Sequence, residues 1–293
     1  MTGRAEGALD RFSPEALFVV SGISQYTGAV IAVSLFDDVS PATMALLRVI
    51  GASIVLMAFT WRSQRNWTRH DVRAAAVFGA ATALMNLFFY LAIDRIDLGK
   101  SVVIEFIGPI AVAAAFTRSR RNTAALLLAV AGVLVLGGVE IDTEPLGLVY
   151  VLLASAMWAA YIMIGRHVAA QDRGVSGLAV GMVFGSIVLA PIGLPGSGEV
   201  WVHPAWLLAG LSVGIFSNAV GYSIDQHVLR RVPVRRFAVL LALLPVTAMS
   251  VGFIALDQRP SAVDLLGAAL VIAGVVSQER EVLAPEELEA VPA

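Results

Sequence analysis

Three polar side chains stand out in long apolar stretches of this sequence because together they could bind both ends of an amino acid. Arg48 lies in PATMALLRVIGASIVLMAF, and Asn86 and Glu105 lie in NLFFYLAIDRIDLGKSVVIEFIGPIAVAAAF. A guanidinium binds a carboxylate through two parallel hydrogen bonds, a carboxylate pairs with an ammonium, and an amide can donate or accept. The set therefore suits an amino acid zwitterion. The alternative is that Arg48 and Glu105 form an ion pair that only holds helices together, with Asn86 as an interhelical hydrogen-bonding group.

The composition places these side chains in a membrane. Of 293 residues, 58% are hydrophobic and 14% are charged, whereas soluble domains carry about 25% charged residues. A carboxylate inside a spanning helix costs about 2.5 to 3.5 kcal/mol, so Glu105 should face a cavity or a partner. Apolar runs of about 20 residues match the thickness of a bilayer. We predict an all-α integral membrane protein with ten transmembrane helices, at residues 15–36, 40–61, 72–93, 99–117, 123–139, 146–168, 175–195, 204–226, 236–255 and 262–278.

The distribution of basic residues predicts that both termini lie inside the cell. With residues 1–14 as a cytoplasmic segment, the outer loops receive only Arg95, Lys100 and Arg259 of the twenty Lys and Arg residues, and Arg48 lies within a span. Short cytoplasmic loops are enriched in Lys and Arg, so this asymmetry favours an N-in, C-in topology with an even number of spans. Residues 279–293 are acidic and predict a disordered tail.

The two halves of the sequence share a polar pattern. The third predicted span contains Asn86-x3-Tyr90-x2-Ile93-Asp94 and the eighth contains Asn218-x3-Tyr222-x-Ile224-Asp225, while Pro109 in the fourth has a counterpart in Pro245 of the ninth. Residues 15–139 and 146–278 each hold five spans, an odd number, so the second repeat must be inverted relative to the first. Inverted repeats with a site at their interface are the design of alternating-access transporters.

Further candidates for a binding site lie near mid-depth of the predicted spans. The first span contributes Gln25 and Tyr26, and the sixth contributes Trp158 and Tyr161, which would be walls of a cavity or ordinary packing residues. Gly108-Pro109 and Pro245 interrupt helical hydrogen bonding and predict hinges or exposed carbonyl groups. We include the second-half Asn218 and Tyr222 among the substrate-binding candidates.

Other classes of function find little support in the sequence. The chain has no cysteine and a net charge of −2, which argues against disulfides, thiolate metal sites and nucleic-acid binding. Its four histidines have no metal-ligand spacing, and it contains no phosphate-binding loop, His-Glu-x-x-His or Gly-x-Ser-x-Gly motif. We therefore expect no metal, no cofactor and no enzymatic activity.

These residues also carry a resemblance to a known family. The segments YLAIDRIDLGKSVVIEFIGPIAVAAAF and SAMWAAYIMIGRHVA, above all Glu-Phe-x-Gly-Pro at 105–109, resemble the EamA-type members of the drug/metabolite transporter superfamily, in the branch of threonine and homoserine exporters. The resemblance implies proton-coupled export of small amino acids across the inner membrane, with Arg48, Asn86, Tyr90 and Glu105 at matching positions. The branch usually has glutamates where this chain has Leu244 and Gln258, so Glu105 is the candidate proton carrier.

We thus predict a multi-pass secondary transporter that exports small amino acids or related metabolites, with a homodimer as its candidate assembly. Two alternatives stay open. A broad drug or metabolite efflux carrier would have a more aromatic cavity. A membrane scaffold or enzyme subunit that transports nothing would use the buried charges only to hold its helices together.

Overall fold

The computed structural model is built of helices packed side by side. It describes residues 9–61, 67–96, 98–117, 119–137, 144–170, 174–256 and 261–277, and none of these residues forms a β-strand. Gln258 and the tail 279–293 lie outside the described residues. The helices are α1 Pro14–Val33, α2 Pro41–Thr60, α3 Arg69–Ile93, α4 Leu98–Glu105, α5 Ile107–Phe116, α6 Arg120–Gly137, α7 Pro145–Ala170, α8 Gly174–Gly193, α9 Gly198–Val202, α10 Pro204–Gly214, α11 Tyr222–Arg231, α12 Val234–Leu240, α13 Leu243–Leu256 and α14 Ala262–Ser277, with a π-helical segment Ile215–Gly221 between α10 and α11.

All ten predicted ranges contain a helix or an interrupted helix. Among the described residues, seven helices are long and apolar enough to cross a membrane, and the segments Ile107–Phe116 and Leu265–Ser277 are shorter apolar helices. The chain is therefore an all-α membrane protein. The count of ten crossings, their inverted arrangement and the N-in, C-in topology stay predictions.

Local sequence signals explain where the first three helices begin. Ser13 and Ser40 accept hydrogen bonds from backbone N–H groups three residues later, and each is followed by a proline at the first helical position. Thr68 and Asp71 form a reciprocal capping box at the start of α3. Such caps satisfy N–H groups that have no partner within the helix, and each contributes about 1 kcal/mol.

Two helices are interrupted beside prolines in corresponding places. Helix α4 ends at Glu105 and α5 begins at Ile107, while α12 ends at Leu240 and α13 begins at Leu243. Proline has no N–H for the carbonyl four residues earlier, so Pro109 and Pro245 each deprive one carbonyl of its usual helical donor, at positions 105 and 241. In the second break the Leu241 carbonyl instead accepts a bond from the N–H of Leu244 at 2.9 Å.

The eighth predicted helix is longer and less regular than the sequence suggested. We predicted one span at 204–226, but the helical path passes through the π-helical segment and continues to Arg231. Those five further residues add about 7.5 Å at 1.5 Å per residue. Polar residues 225–227 looked like the end of a span, yet they are buried in the bundle, so hydropathy ended the helix too early.

The packing joins the first half of the chain to the second. Helix α3 packs against α7 and α8, α2 packs against α8 and α10, and α1 packs against the π-helical segment and α13. Helix α5 packs against α12 and α7, and α6 packs against α14. The core of the bundle is consequently made of contacts between the halves, which places any central cavity between them.

A close approach of α10 to α2 gives a stability prediction. A Cβ atom at Gly214 would collide with the backbone carbonyl of Arg48, whereas a Cβ at Gly198 would meet nothing within 4 Å. We expect Gly214→Ala to separate these helices and to cost about 1 to 3 kcal/mol, measured as a lower thermal midpoint in detergent. The matched change Gly198→Ala should be neutral, and equal midpoints for both variants would contradict the packing described here.

Candidate functional site

A partly open cavity of about 110 Å³ lies inside the bundle. Helices of both halves contribute to its wall, and both proline-associated breaks border it. Three of its side chains are charged and six are aromatic. The lining residues are Gln25, Tyr26, Ala29, Arg48, Met85, Asn86, Phe89, Val102, Glu105, Phe106, Trp158, Tyr161, Tyr222, Asp225, Leu241 and Leu244.

Arg48 is the cation of this cavity and is held by residues of both halves of the chain. Its side chain is nearly buried, at 7% exposure. Nε donates to Asn218 Oδ1 at 2.7 Å, Nη1 to the Tyr90 hydroxyl at 3.1 Å, and Nη2 to the Tyr222 hydroxyl at 3.2 Å. A guanidinium has five N–H donors, so two are left for a ligand in the cavity.

A relay of hydrogen bonds continues from Arg48 to Asn86. The Tyr222 hydroxyl, which accepts from Arg48, donates to Asn86 Oδ1 at 3.2 Å. The amide nitrogen of Asn86 is buried and has no hydrogen-bond partner among the described residues. A buried donor without a partner costs about 1 to 3 kcal/mol. A polar ligand or a water in the cavity would remove that cost.

Glu105 lines the same cavity but does not pair with Arg48. It is 8% exposed, and none of the ion pairs found within the described ranges joins it to Arg48. The bonds that hold Arg48 come from an amide and two phenols instead. The hypothesis of a plain Arg48–Glu105 ion pair is therefore wrong for this arrangement, and the Glu105 carboxylate faces the cavity.

The site contains a second carboxylate that the sequence analysis missed. Asp225 is 2% exposed and lines the cavity. Its Oδ1 accepts a hydrogen bond from the Ser21 hydroxyl at 2.8 Å, and Gln25 Nε2 donates to that hydroxyl at 2.9 Å. A signal existed, because Asp225 follows Tyr222 in the repeated polar pattern. We had placed it at the end of a span, which the longer α11 corrects.

The structure gathers most of the sequence-predicted site residues. Besides Arg48, Asn86 and Glu105, the residues on the cavity wall are Gln25, Tyr26, Trp158, Tyr161 and Tyr222. Tyr90 and Asn218 lie behind the wall and act through Arg48. Gly108, Pro109 and Pro245 do not line the cavity. They lie next to the helix breaks, and a side chain at Gly108 would collide with the Ser155 carbonyl of α7.

The bridging role of Tyr222 gives a second prediction. Tyr222→Phe removes one hydroxyl that bonds both Arg48 Nη2 and Asn86 Oδ1. The loss of a bond to a charged group costs about 1.5 to 3 kcal/mol, so the affinity for a ligand that binds Arg48 should fall by about tenfold or more. Isothermal titration of the purified protein with small amino acids measures this. Tyr150→Phe, at a tyrosine that stacks on Phe88, is the matched control and should behave like the wild type.

A charged cavity enclosed by apolar helices of both halves is the arrangement of a multi-pass membrane transporter. Residues 145–277 match the EamA-like transporter family. The threonine/homoserine exporters RhtA of Escherichia coli (strain K12) and Salmonella typhimurium (strain SL1344) are each 31% identical over 263 residues, which cover 89% of this chain and 89% of each exporter. An uncharacterized transporter of Archaeoglobus fulgidus is 23% identical over 256 residues, 81% of this chain and 87% of that protein. The chain belongs to the EamA-type transporter family, in its threonine/homoserine exporter-like branch.

A solved structure agrees on the fold. A crystal structure of another protein matches 90% of this chain and 95% of its own with a TM-score of 0.69, at 18% sequence identity. At that identity the likeness concerns the arrangement of helices alone.

Proposed function

We propose that this protein is a secondary active transporter that exports small amino acids, of the threonine and homoserine kind, across the cytoplasmic membrane by alternating access. The observation that carries the proposal is the set of opposite charges at one cavity, with Arg48 and Glu105 unpaired to each other. The exporters that share 31% identity with the chain are named for threonine and homoserine.

The chemistry of the cavity favours a zwitterion. The substrate carboxylate would bind the two free N–H groups of Arg48, which a planar guanidinium offers at the spacing of carboxylate oxygens. The substrate ammonium would pair with Glu105. The unpartnered amide nitrogen of Asn86 would donate to a substrate oxygen.

The size of the cavity favours a small substrate. Its volume of about 110 Å³ is near the roughly 150 Å³ of a protein cavity that admits benzene. Pockets for drug-sized ligands usually measure about 300 to 1,000 Å³. A small amino acid matches the cavity better than a large drug does.

Alternating access draws support from a symmetry in the contacts. We match α1 with α7, α2 with α8, α3 with the path from α10 to α11, α4–α5 with α12–α13, and α6 with α14. Under this exchange the pair α3–α7 becomes the contact of α1 with the π-helical segment, α3–α8 becomes α2–α10, and α5–α7 becomes α1–α13. The pairs α2–α8 and α6–α14 map onto themselves, and so does the contact between the two interrupted helices α4–α5 and α12–α13, each taken as one unit. Two inverted five-helix repeats over 15–139 and 146–278 would produce this pattern.

The aromatic wall favours a second candidate, a drug or metabolite efflux carrier. Six of the sixteen lining residues are aromatic, and Phe106 and Trp158 meet edge to face at 5.0 Å. Such surfaces bind organic cations through their ring faces. A cation without a carboxylate would leave the two remaining N–H groups of Arg48 without a partner, however, and this is why the amino acid remains the first candidate.

Transport by the purified protein in proteoliposomes tests the proposal. Vesicles loaded with unlabelled threonine should exchange it for labelled threonine and homoserine, and an acidic interior should drive uptake against the amino acid gradient. Leucine, ethidium and an amine lacking a carboxylate should compete poorly. Transport of ethidium without amino acid exchange would establish the second candidate, and no transport of any compound would support a scaffold.

A further inference from the structure

The cavity carries one more negative group than the proposed function uses. Among the described residues its charged side chains are Arg48, Glu105 and Asp225, one cation and two carboxylates. With both carboxylates ionised, the cavity has a net charge of −1, and a zwitterion does not change that sum. Uncompensated charge inside a membrane protein is costly. Binding of one proton would make the cavity neutral and would remove that cost.

The surroundings of Asp225 suit either protonation state without movement of heavy atoms. The Ser21 oxygen lies 2.8 Å from Asp225 Oδ1 and 3.0 Å from the Gly221 carbonyl oxygen, and it accepts from Gln25 Nε2 at 2.9 Å. A hydroxyl has one hydrogen and two lone pairs. When Asp225 is ionised, Ser21 donates to it. When Asp225 is protonated, its O–H can donate to Ser21, which turns its own hydrogen to the Gly221 carbonyl.

We propose that Asp225, with Ser21 and Gln25, is the proton-binding site through which this transporter couples export to the proton gradient. The inference rests on the proposed amino acid transport and names the group that drives it. A proton adds to Oδ1 of Asp225 from the cavity and leaves by the same route, so no other bond is broken.

The net charge of the cavity decides whether proton binding favours or opposes substrate binding. Ionised Asp225 leaves the cavity negative, which favours the ammonium of a substrate bound at Glu105. Protonation makes the cavity neutral and weakens that attraction, so proton entry promotes release of the substrate. Asp225 also lies on the helix that begins with Tyr222, the partner of Arg48. Proton and substrate thus act on the same junction between the halves, as antiport requires.

The other charged and titratable groups on the helices around Asp225 are engaged elsewhere or share its cavity. Helix α8 carries no charged or titratable residue, and Arg166 of α7 donates to the Leu229 carbonyl at 2.6 Å, four residues beyond Asp225 on α11. Helix α12 carries Arg235 and Arg236, and the second of these pairs with Glu15 at 2.7 Å. On its own helix, His227 is turned toward Asp10 at 3.2 Å. The groups that share the cavity with Asp225 are Tyr26, Arg48, Glu105, Tyr161 and Tyr222.

The second half of the chain offers no other carboxylate for this role. Its described residues present Asp225 alone to the cavity, and Leu241 and Leu244 beside it are apolar. Glu105 belongs to the first half, and no hydrogen bond from the described part of the chain comparable to that of Ser21 reaches it.

Two transport assays on the full-length protein in proteoliposomes test the site. Asp225→Asn should lose threonine uptake driven by an acidic interior, yet retain threonine exchange at equal pH, because exchange moves no net proton. Asp38→Asn, at an exposed aspartate outside the cavity, should leave both assays unchanged. Gradient-driven uptake by Asp225→Asn would overturn the proposal, and so would loss of exchange in a folded variant.

Ser21→Ala provides an independent test. Ser21 bonds both forms of Asp225, but its bond to the ionised carboxylate is charge-assisted and is the stronger one. Its removal should therefore raise the pH at which gradient-driven uptake is half-maximal by about one unit, since one unit corresponds to about 1.4 kcal/mol. An unchanged profile would overturn the proposal even if Asp225→Asn failed to fold. Absence of all amino acid transport by the wild type would instead refute the proposed function.

Discussion

Glu105→Gln is expected to abolish substrate exchange as well as gradient-driven export. The change keeps the shape of the side chain but removes the negative charge that would pair with the substrate ammonium. A charge-assisted hydrogen bond contributes about 1.5 to 3 kcal/mol, so binding should weaken by about 10- to 150-fold. Isothermal titration of the purified protein with threonine measures this directly, and exchange in proteoliposomes should decline in parallel.

The control for Glu105 is Glu199→Gln, an identical change at an exposed glutamate of the short helix α9. It should alter neither binding nor transport. A Glu105→Gln variant that exchanges substrate normally but has lost gradient-driven export would make Glu105 the proton carrier, as the sequence-based hypothesis holds. Wild-type behaviour in both assays would remove Glu105 from the mechanism.

Arg48→Lys should be at least as damaging although it keeps the positive charge. The three bonds of Arg48 start from three different nitrogens, and a lysine has only one. Loss of the two N–H groups proposed for the substrate carboxylate would cost roughly 3 to 6 kcal/mol, or about 10²- to 10⁴-fold in affinity. We expect no saturable exchange at millimolar threonine.

Arg95→Lys is the matched control, since Arg95 is partly exposed and donates to Asp94 at 3.0 Å and to the Leu91 carbonyl at 2.9 Å. Transport by this variant should equal that of the wild type. Normal transport by Arg48→Lys would show that a point charge suffices and would contradict a bidentate carboxylate site. A lower thermal midpoint of Arg48→Lys, with binding retained, would favour a purely structural role.

Much of the helical layout could be predicted from the sequence because its causes are local. A serine followed by proline begins α1 and α2, and the two helix breaks lie at positions 105 and 241, each followed four residues later by a proline. Apolar runs of about 20 residues predict helices that cross a membrane. The extension of the eighth helix to Arg231 was missed because residues 225–227 are polar, and their burial depends on the helices packed around them.

The two aspartates of the repeated pattern show the limit of local information. Asp94 and Asp225 both follow an Asn-x3-Tyr motif, but Asp94 is exposed at the end of α3, whereas Asp225 is buried against Ser21. Asp94 follows its tyrosine by four residues and Asp225 by three. That difference of one residue, about 100° around a helix, together with the neighbouring helix α1, decides which aspartate enters the cavity.

The sequence by itself determined that the protein lies in a membrane, that it is helical, and that an arginine, an asparagine and a glutamate interrupt its apolar spans. Because the burial of a charge is costly in any fold, charged residues within apolar spans indicate a structural or functional site. Only the tertiary structure decided their partners. Arg48 binds Asn218, 170 positions away, and not Glu105, because hydrogen bonds across a bundle depend on which helix faces come together, and that depends on the packing of all the helices at once.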